Sequence, residues 1–461
     1  TSIAWSGNSH YLVEKLFDGS VSMGAGELLL PGELTLAAGE SYEAPALVSV
    51  FSAEGLDGVS SAYHSHLRAR PIHPKRPRPL TLNMWEALYF DHNEEKIKAL
   101  IDVAAEVGIE RVVLDDGWFA GRRSDKSSLG DWWVSPEVYP NGLAPLISHV
   151  QKLGMDFGIW VEPEMISEDS ELFRMHPDWA LVSPDYEPVR SRNQLVLNLA
   201  HTPAYVYVFS KLDKLFSENE ISFVKWDMNR PHVQSTLQSG AAGTHEQTLA
   251  VYKLIDQLRA KHQHIEIESC SSGGGRIDHE ILRRTDRVWT SDCIDPYRRQ
   301  KIQRGASMLI PNEVMGAHIG AEKAHTTSRV HSLEFRIISA VFGHLGLELD
   351  LTLCSQDELR LIKQAVDWHK KFRGLLHSGD VVRFDCESES QISHGVYSQD
   401  RNEALVSLVQ LTEINLDKGS QILRLPGLVY DRRYRIVAFD SNFATTNAVG
   451  EYTGQQLSTT G

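Results

Sequence analysis

The run RVVLDDGW at residues 111–118 sets an apolar centre, Val112-Val113-Leu114, against two acids and a tryptophan. A short apolar stretch that turns polar at its C-terminal side suits a strand covered on both faces, as in a parallel sheet. The same unit recurs on either side. Upstream, LTLNMW (80–85) is strand-like and precedes a segment with Ile97, Leu100, Ile101, Ala104 and Val107 on one helical face. Asn93 can cap the start of that helix, and Gly108 suits its stop. Downstream, Leu143, Leu146, Ile147 and Val150 mark a helix ending at Gly154. Six more strand candidates follow: FGIWVEPEM (157–165), QLVLNL (194–199), FVKWDM (223–228), IEIESC (265–270), RVWTSD (287–292) and EVMGAHI (313–319). Helical periodicity fills most intervals, and Leu333, Ile337, Val341 and Leu345 mark a helix after the last. Eight βα units in this span predict an α/β fold, a closed (β/α)8 TIM-type barrel over residues 80–380. No GxGxxG opens a helix after the first strand, which argues against a dinucleotide-binding sheet.

The flanks read differently. Residues 1–55 hold short β-like runs broken by Gly and Pro, predicting strands of a sheet whose other members lie outside this chain. A helix carrying His64 and His66 completes an N-terminal segment over 1–67, and RARPIHPKRPRP supplies a linker at 68–79. Beyond residue 380 the helical period stops. GVYSQD, ALVSLVQL and YRIVAF alternate as strands do, predicting a small C-terminal β-sandwich over 381–461 whose last strands EYTGQQLSTTG stops short of. Residue 1 is not Met, which suits a start inside a longer protein.

Charge narrows the function classes. With 46 Lys and Arg against 61 Asp and Glu the net charge is −15, a field that opposes nucleic acid and anionic membranes and leaves a neutral sugar unaffected. No apolar run approaches the roughly 18–20 residues of a membrane helix. TSIAWSGNSHYL lacks the basic start and apolar stretch of a secretory signal. Cys270, Cys293, Cys354 and Cys386 are scattered, with no metal-ligand spacing, and read as reduced thiols of a cytoplasmic protein.

Polar residues gather where the strands end: Trp85-Glu86, Asp115-Asp116, Trp160 with Glu162 and Glu164, Arg192, Lys225 with Asp227 and Asn229, Glu268-Cys270, and Asp292. In a barrel that end is the active-site face. Any one of these could cap a helix or pair with a neighbour, but seven strands ending alike call for a site. Carboxylates accept sugar hydroxyls and indoles stack on the apolar face of a pyranose. Glycoside hydrolysis needs two carboxylates, one to attack and one to protonate the leaving oxygen. Asp227 in KWDMNR, beside the Lys225 ammonium, fits the nucleophile. Asp292, at the end of VWTSD, fits the acid, with Val288 and Trp289 as an apolar setting; Asp295 is the alternative that spacing leaves open.

Metal chemistry is the rival. The strand ends of the barrel lack the HxH pair of a metal-dependent hydrolase, His64 and His66 lie before the barrel on a helix, His318 stands alone, and Asp115-Asp116 would point to opposite faces on a strand, so no metal or cofactor is expected. GxSxG is absent, and GGG at 273–275 lacks the Lys-Ser/Thr of a phosphate loop; it reads instead as a close backbone approach to a ligand.

With MWEALYF, VLDDGWF, GIWVEPEM, RNQLVLNL, FVKWDMNR, ESCSSGGGR and VWTSDCID in this order, the chain resembles glycoside hydrolase family 36, the retaining α-galactosidases. The match covers residues 80–345, with Asp292 following Asp227 by 292 − 227 = 65 positions. The resemblance implies a double displacement in which Asp227 forms the galactosyl-enzyme and Asp292 is acid, then base. It implies that Asp115 and Asp116 hold the C4 and C6 hydroxyls, that Trp85 and Trp160 form apolar walls, and that Lys225, Arg192 and Asn229 bind the remaining hydroxyls. Cys270 and the Gly273 backbone would close the site near the axial group. It also implies α-galactoside oligosaccharides of the melibiose or raffinose type as substrates. Residues 1–55 would be the tail of a β-supersandwich that supports a homo-oligomer, a tetramer. Leu88 stands where the family often has Thr, and Cys293 occupies a variable position. An α-N-acetylgalactosaminidase or galactosyl transferase on the same fold, and a non-catalytic galactose-binding protein, are the competing readings; a pure binder has no need of both aspartates.

Overall fold

The computed structural model describes residues 1–386, 390–412 and 423–459. Eight strands close a barrel: β1 (Thr81–Asn83), β2 (Arg111–Leu114), β3 (Asp156–Val161), β4 (Phe223–Trp226), β5 (Glu266–Ser269), β6 (Arg287–Trp289), β7 (Met315–Gly320) and β8 (His344–Glu348). Their order around the ring follows the chain, β8 returning to β1 with Leu347 opposite Leu82. Pairing is parallel, with Val113 opposite Gly158, Trp160 opposite Lys225 and Lys225 opposite Glu268. Nearly every strand residue is buried, as the apolar runs predicted.

Contacts gather into two compact units. One comprises 1–50, 83–102 and 110–292; the other comprises 51–82, 103–109 and 293–461. The first holds every candidate site residue except Asp295, the alternative acid. In it, Asn93 Oδ1 accepts from Glu95 N and Lys96 N at 3.1 Å, so this residue does cap the helix Glu94–Val107. The helix Thr244–Lys261 has no side-chain cap from Gly243, and Glu33 Oε1 instead accepts from His245 N at 2.8 Å. Ile3 and Trp5 pack with Tyr252 of that helix. Ser9–Lys15 and Val21–Glu27 form an antiparallel hairpin with Tyr11, Val13 and Phe17 exposed.

In the second unit the helix Gly55–Arg68 carries His64 and His66 as read. Beyond the long helix Gln356–Leu376 come an antiparallel sheet, Asp380–Phe384, Gln391–Tyr397 and Ala404–Gln410, and the hairpin Arg433–Phe439 with Thr445–Thr453. The last two residues of EYTGQQLSTTG lie outside the described residues.

Two barrel assignments change. QLVLNL is not a barrel strand: only Leu195–Val196 is extended, pairing antiparallel with Met165–Ile166. Between 166 and 194 there is a five-residue helix, Glu171–Met175, and one 3-10 turn, too little for a crossover that returns the chain to the sheet. The eighth strand is instead β8, where Leu345 was read as the end of a helix. That helix stops at Ala340. The spacing 333, 337, 341 runs on to 345 by coincidence, while Gly346 belongs to close strand packing: a Cβ there would meet His318 Cδ2 at 2.4 Å and Thr81 O at 2.6 Å. His318 is not alone either; its Nδ1 lies 2.7 Å from Glu348 Oε2.

Candidate active site

Strand β2 ends at Leu114, so Asp115 and Asp116 sit on the turn beyond it, where strand alternation no longer separates them. Asp115 Oδ2 accepts from Lys225 Nζ at 2.8 Å and from Asn83 Nδ2 at 2.7 Å, and its Oδ1 accepts from Asp116 N at 2.8 Å. The Lys225 ammonium, read from sequence as the neighbour of Asp227, thus donates to Asp115. Asp116 takes Arg122 in a fork, Nε to Oδ1 at 3.0 Å and Nη2 to Oδ2 at 2.8 Å. Its hydrogen bonds run to Arg122 rather than to a helix start. Burial pushes the Asp116 carboxyl above its ordinary range even against the Arg122 charge. Gly117, at φ +120, makes the turn possible; a Cβ there would meet His92 Nε2 at 2.8 Å.

Asp227 follows β4 directly and is buried. Its Oδ2 accepts from Trp160 Nε1 at 3.1 Å and Asn229 Nδ2 at 2.7 Å, and its Oδ1 accepts from Met228 N at 2.8 Å. Trp160 is itself buried, stacked with Phe119 at 6.2 Å between centroids, so its indole also holds the carboxylate. Asn229 Oδ1 in turn accepts from Arg192 Nη1 at 2.5 Å and Ser272 Oγ at 3.1 Å. Arg192 stands on a loop, not a strand end, and both it and Asn193 have positive φ, +52 and +59. Trp85 is half-buried at the mouth, edge-on to Tyr89 and Phe90.

Asp292 lies three residues past the end of β6 with an exposed side chain. Crowding by surrounding protein, then the charge of Asp227, raise its carboxyl; Lys225, Arg192 and the Trp289 N–H oppose the rise. Trp289, read with Val288 as an apolar setting, also reaches Asp292 as a donor, Nε1 to Oδ1 at 3.1 Å. Asp295 is spoken for: it caps the helix Pro296–Ala306 through Tyr297 N at 2.9 Å and accepts from Thr327 Oγ1 at 2.6 Å and Arg329 Nη1 at 2.8 Å. Burial pushes its carboxyl up, but these bonds prevail and hold it below the ordinary range.

Cys270 is buried after β5, its thiol raised well above the ordinary range by burial and by Asp227 and Asp292, so it stays protonated. Gly273 has φ +82, and a Cβ on it would lie 2.5 Å from Ser291 Cα and 2.6 Å from Asp292 N. The glycine run was read as an approach to ligand; it also lets this loop lie on the backbone that carries Asp292, bridging Ser291.

From sequence alone Glu162 and Glu164 stand out only as part of the rim. Glu164 is a buried partner of Arg276, Oε1 to Nη2 at 2.8 Å, and takes Trp226 Nε1 at 2.8 Å. Glu162 Oε1 accepts from Asn229 N at 2.5 Å and Gln194 Nε2 at 2.7 Å. Burial first, then the Asp227 charge, push its carboxyl up to about 8. Asn83, at the end of β1, and the loop residues Arg122 and Gln194 are not marked by the sequence, since nothing local shows a neutral strand-end amide or a loop side chain that reaches into a site. Among the described residues no group of three His, Cys, Asp or Glu side chains is placed to hold a metal ion, and no helix is long and apolar enough to cross a membrane.

A closed (β/α)8 barrel with carboxylates and indoles collected at the C-terminal ends of its strands belongs to the class that carries its sites on that face. Within that class the chain is a member of the family described as Melibiase, glycoside hydrolase family 36, which matches residues 41–379. It is 44% identical over 440 residues to an alpha-galactosidase of Escherichia coli, covering 95% of this chain and 62% of that protein. It is 40% identical over 471 residues to alpha-galactosidase AgaA of Geobacillus stearothermophilus, covering 99% and 62%. A crystal structure of the GH36 alpha-galactosidase AgaA superposes with a TM-score of 0.92 at 38% identity, over 99% of this chain and 63% of that one. A variant of AgaA in complex with raffinose matches equally, TM-score 0.92 at 38% identity, over 100% and 64%. The chain therefore spans less than two thirds of the length of these relatives.

Proposed function

We propose that this chain carries the active site of a retaining α-galactosidase that removes terminal α-D-galactosyl residues from oligosaccharides of the melibiose and raffinose type. The observation that carries the reading is the pair of rim carboxylates in opposite settings. Asp227 is pinned by three N–H donors at the end of β4, and Asp292, raised by crowding and by Asp227 itself, is suited to hold a proton. Asp227 attacks the anomeric carbon while Asp292 protonates the departing oxygen; Asp292, now ionised, then takes a proton from the water that releases galactose. The commitment of Asp295 to Thr327, Arg329 and a helix start supports Asp292 over it as the acid.

Asp115 and Asp116, each oriented by a cation, present their remaining acceptor capacity to the C4 and C6 hydroxyls. Arg192, Lys225 and Asn229 face the others, with Trp85 and Trp160 as walls and Cys270 and the Gly273 backbone near the axial group. Four free thiols agree with a cytoplasmic protein, and the family resemblance supports a homo-oligomer. The test is turnover of an aryl α-galactoside beside an aryl α-N-acetylgalactosaminide, with NMR of the first-formed sugar. α-Galactose as first product is expected. β-Galactose, or preference for the acetamido sugar, overturns the reading.

A further inference from the structure

Glu162 has no place in the double displacement, yet it is as deeply buried as any residue of the rim, at 1% exposure. It follows β3 in the run WVEPE, two residues beyond Trp160, so the side chains of Trp160 and Glu162 leave the strand on one side. Trp160 reaches the Asp227 carboxylate itself; Glu162 reaches the backbone N–H of Asn229, two residues further along. The Asn229 amide donates to Asp227 Oδ2 while its oxygen takes Arg192. The second donor to Glu162, Gln194, comes from the loop that presents Arg192. That loop is also tied to the residue after Asn229, since Arg230 Nη1 donates to Val189 O and Gln194 O, both at 2.8 Å. One carboxyl oxygen thus joins the nucleophile turn to the Arg192 loop.

We infer that Glu162 is a positioning residue for the nucleophile: by holding Asn229 N and Gln194 together it fixes the Asn229 amide, and the Arg192 loop, against Asp227. The inference rests on the proposed role of Asp227. Neighbouring acids differ in kind: Asp115, Asp116 and Glu164 each meet a cation, whereas the donors to Glu162 are N–H groups of neutral residues. The groups that act on it are Asp227, Arg122, Asn229 and Gln194. Uncharged near neutrality, Glu162 works as a carbonyl-type acceptor and adds no second negative charge beside Asp227. A glutamine should therefore replace it and an alanine should not.

The test uses the full chain and a dinitrophenyl α-galactoside, whose glycosylation requires no proton from Asp292. Glu162→Ala should lower kcat/KM about 100-fold. The inhibition constant of free galactose should rise far less than kcat/KM falls, since the Arg192 loop and Asn229 supply only part of the hydroxyl contacts, and azide should give no rescue, because the impaired step is attack by Asp227. Glu162→Gln should restore most of that rate. Should the alanine variant not fold, Gln194→Met, which removes only the loop-side donor, should lower the same parameter in part. Wild-type kcat/KM in folded Glu162→Ala, or a loss that lies wholly in galactose affinity, overturns the inference. So does wild-type kcat/KM in Gln194→Met where the alanine variant is unfolded. Asp227→Ala serves as control: if it still turns over this substrate, the nucleophile reading falls and this inference with it. An inactive Asp227→Ala beside a fully active Glu162→Ala overturns this inference alone.

Discussion

Replacing Gly273 by alanine tests how Asp292, the proposed acid/base, is held. The added Cβ would meet Ser291 Cα at 2.5 Å, Asp292 N at 2.6 Å and Ser291 C at 2.8 Å. Carbon atoms rest at about 3.5–4.0 Å, so roughly 1 Å must be absorbed. Every atom in the way is backbone, so no flexible side chain can swing aside. The backbone at φ +82 adds a further cost of about 1–2 kcal/mol for a residue with a Cβ. A protein of this size can bear that, so the variant should fold with Asp292 displaced. Misplacement by about 1 Å can cost about 100-fold in rate, and general acid help is worth about 10²–10⁴-fold. Melibiose, with a poor leaving group, should therefore lose about 100-fold in kcat. A dinitrophenyl α-galactoside should lose far less in its glycosylation step, and azide should speed its turnover. Melting temperature and circular dichroism establish the folded fraction. Equal losses on both substrates, or a wild-type rate on melibiose, would refute the claim that this glycine positions Asp292.

Four further outcomes are expected. With activated substrate, Asp292→Ala supplied with azide should give α-galactosyl azide and Asp227→Ala β-galactosyl azide, one inversion separating them; mass spectrometry and NMR identify the products, and exchanged outcomes would reverse the two roles. Asp116→Ala should destabilise the fold by about 3–5 kcal/mol in urea denaturation, because it strands the buried Arg122 guanidinium; a loss below about 1 kcal/mol would mean that Arg122 finds water. His64, His92, His377 and His394 are held neutral by burial, each at about 4, while the unfolded chain binds their protons near 6.5. Their contribution is therefore present above pH 6.5 and lost as pH falls toward 4, on the order of 3 kcal/mol each, so the melting temperature should drop across that window; a flat profile there contradicts it. Dialysis against a chelator should leave turnover unchanged, and a loss restored by Ca²⁺ or Zn²⁺ would show a metal requirement.

The barrel was legible wherever an apolar run ended in polar residues, as at Val112–Asp116 or Phe223–Asp227, because burial on both faces and a functional rim impose that pattern together. It failed where the run alone had to name its partner. QLVLNL is as apolar as a barrel strand, and Leu195, Val196, Leu197 and Leu199 are buried as such residues should be, but in a ribbon that the preceding loop dictates. β8 hid behind a helical spacing and two glycines that composition assigns to turns. At the site, strand-end residues were visible and their partners were not. Lys225, two positions before Asp227 and on the same side of the chain, reads from sequence as its partner, while the fold brings Asp115 from the end of another strand to 2.8 Å from its ammonium, a contact that sequence does not mark. Arg122 and Gln194 arrive from loops that arginines tie down by carbonyls: Arg122 Nη1 to Ser127 O at 2.9 Å, and Arg230 to Val189 and Gln194. Such ties have no period and leave no local mark.

How the first unit houses its acids shows why the chemistry falls where it does. A buried carboxylate is costly unless something compensates it. Among the described residues, Asp115 meets Lys225, Asp116 meets Arg122, Glu164 meets Arg276, Glu268 meets Arg287 and Asp286 meets Arg259. Glu33 and Asp131 have no such partner, but each accepts backbone N–H groups at a helix start: Glu33 from His245, Asp131 from Glu171 and Leu172. A helix N-terminus carries partial positive charge and serves in place of a cation. Two buried acids are left, Asp227 and Glu162, and their donors are neutral N–H groups. They are also neighbours, so both cannot be charged without mutual repulsion. Leaving Glu162 protonated resolves the conflict, and it leaves the carboxylate on the proposed nucleophile without a like charge beside it.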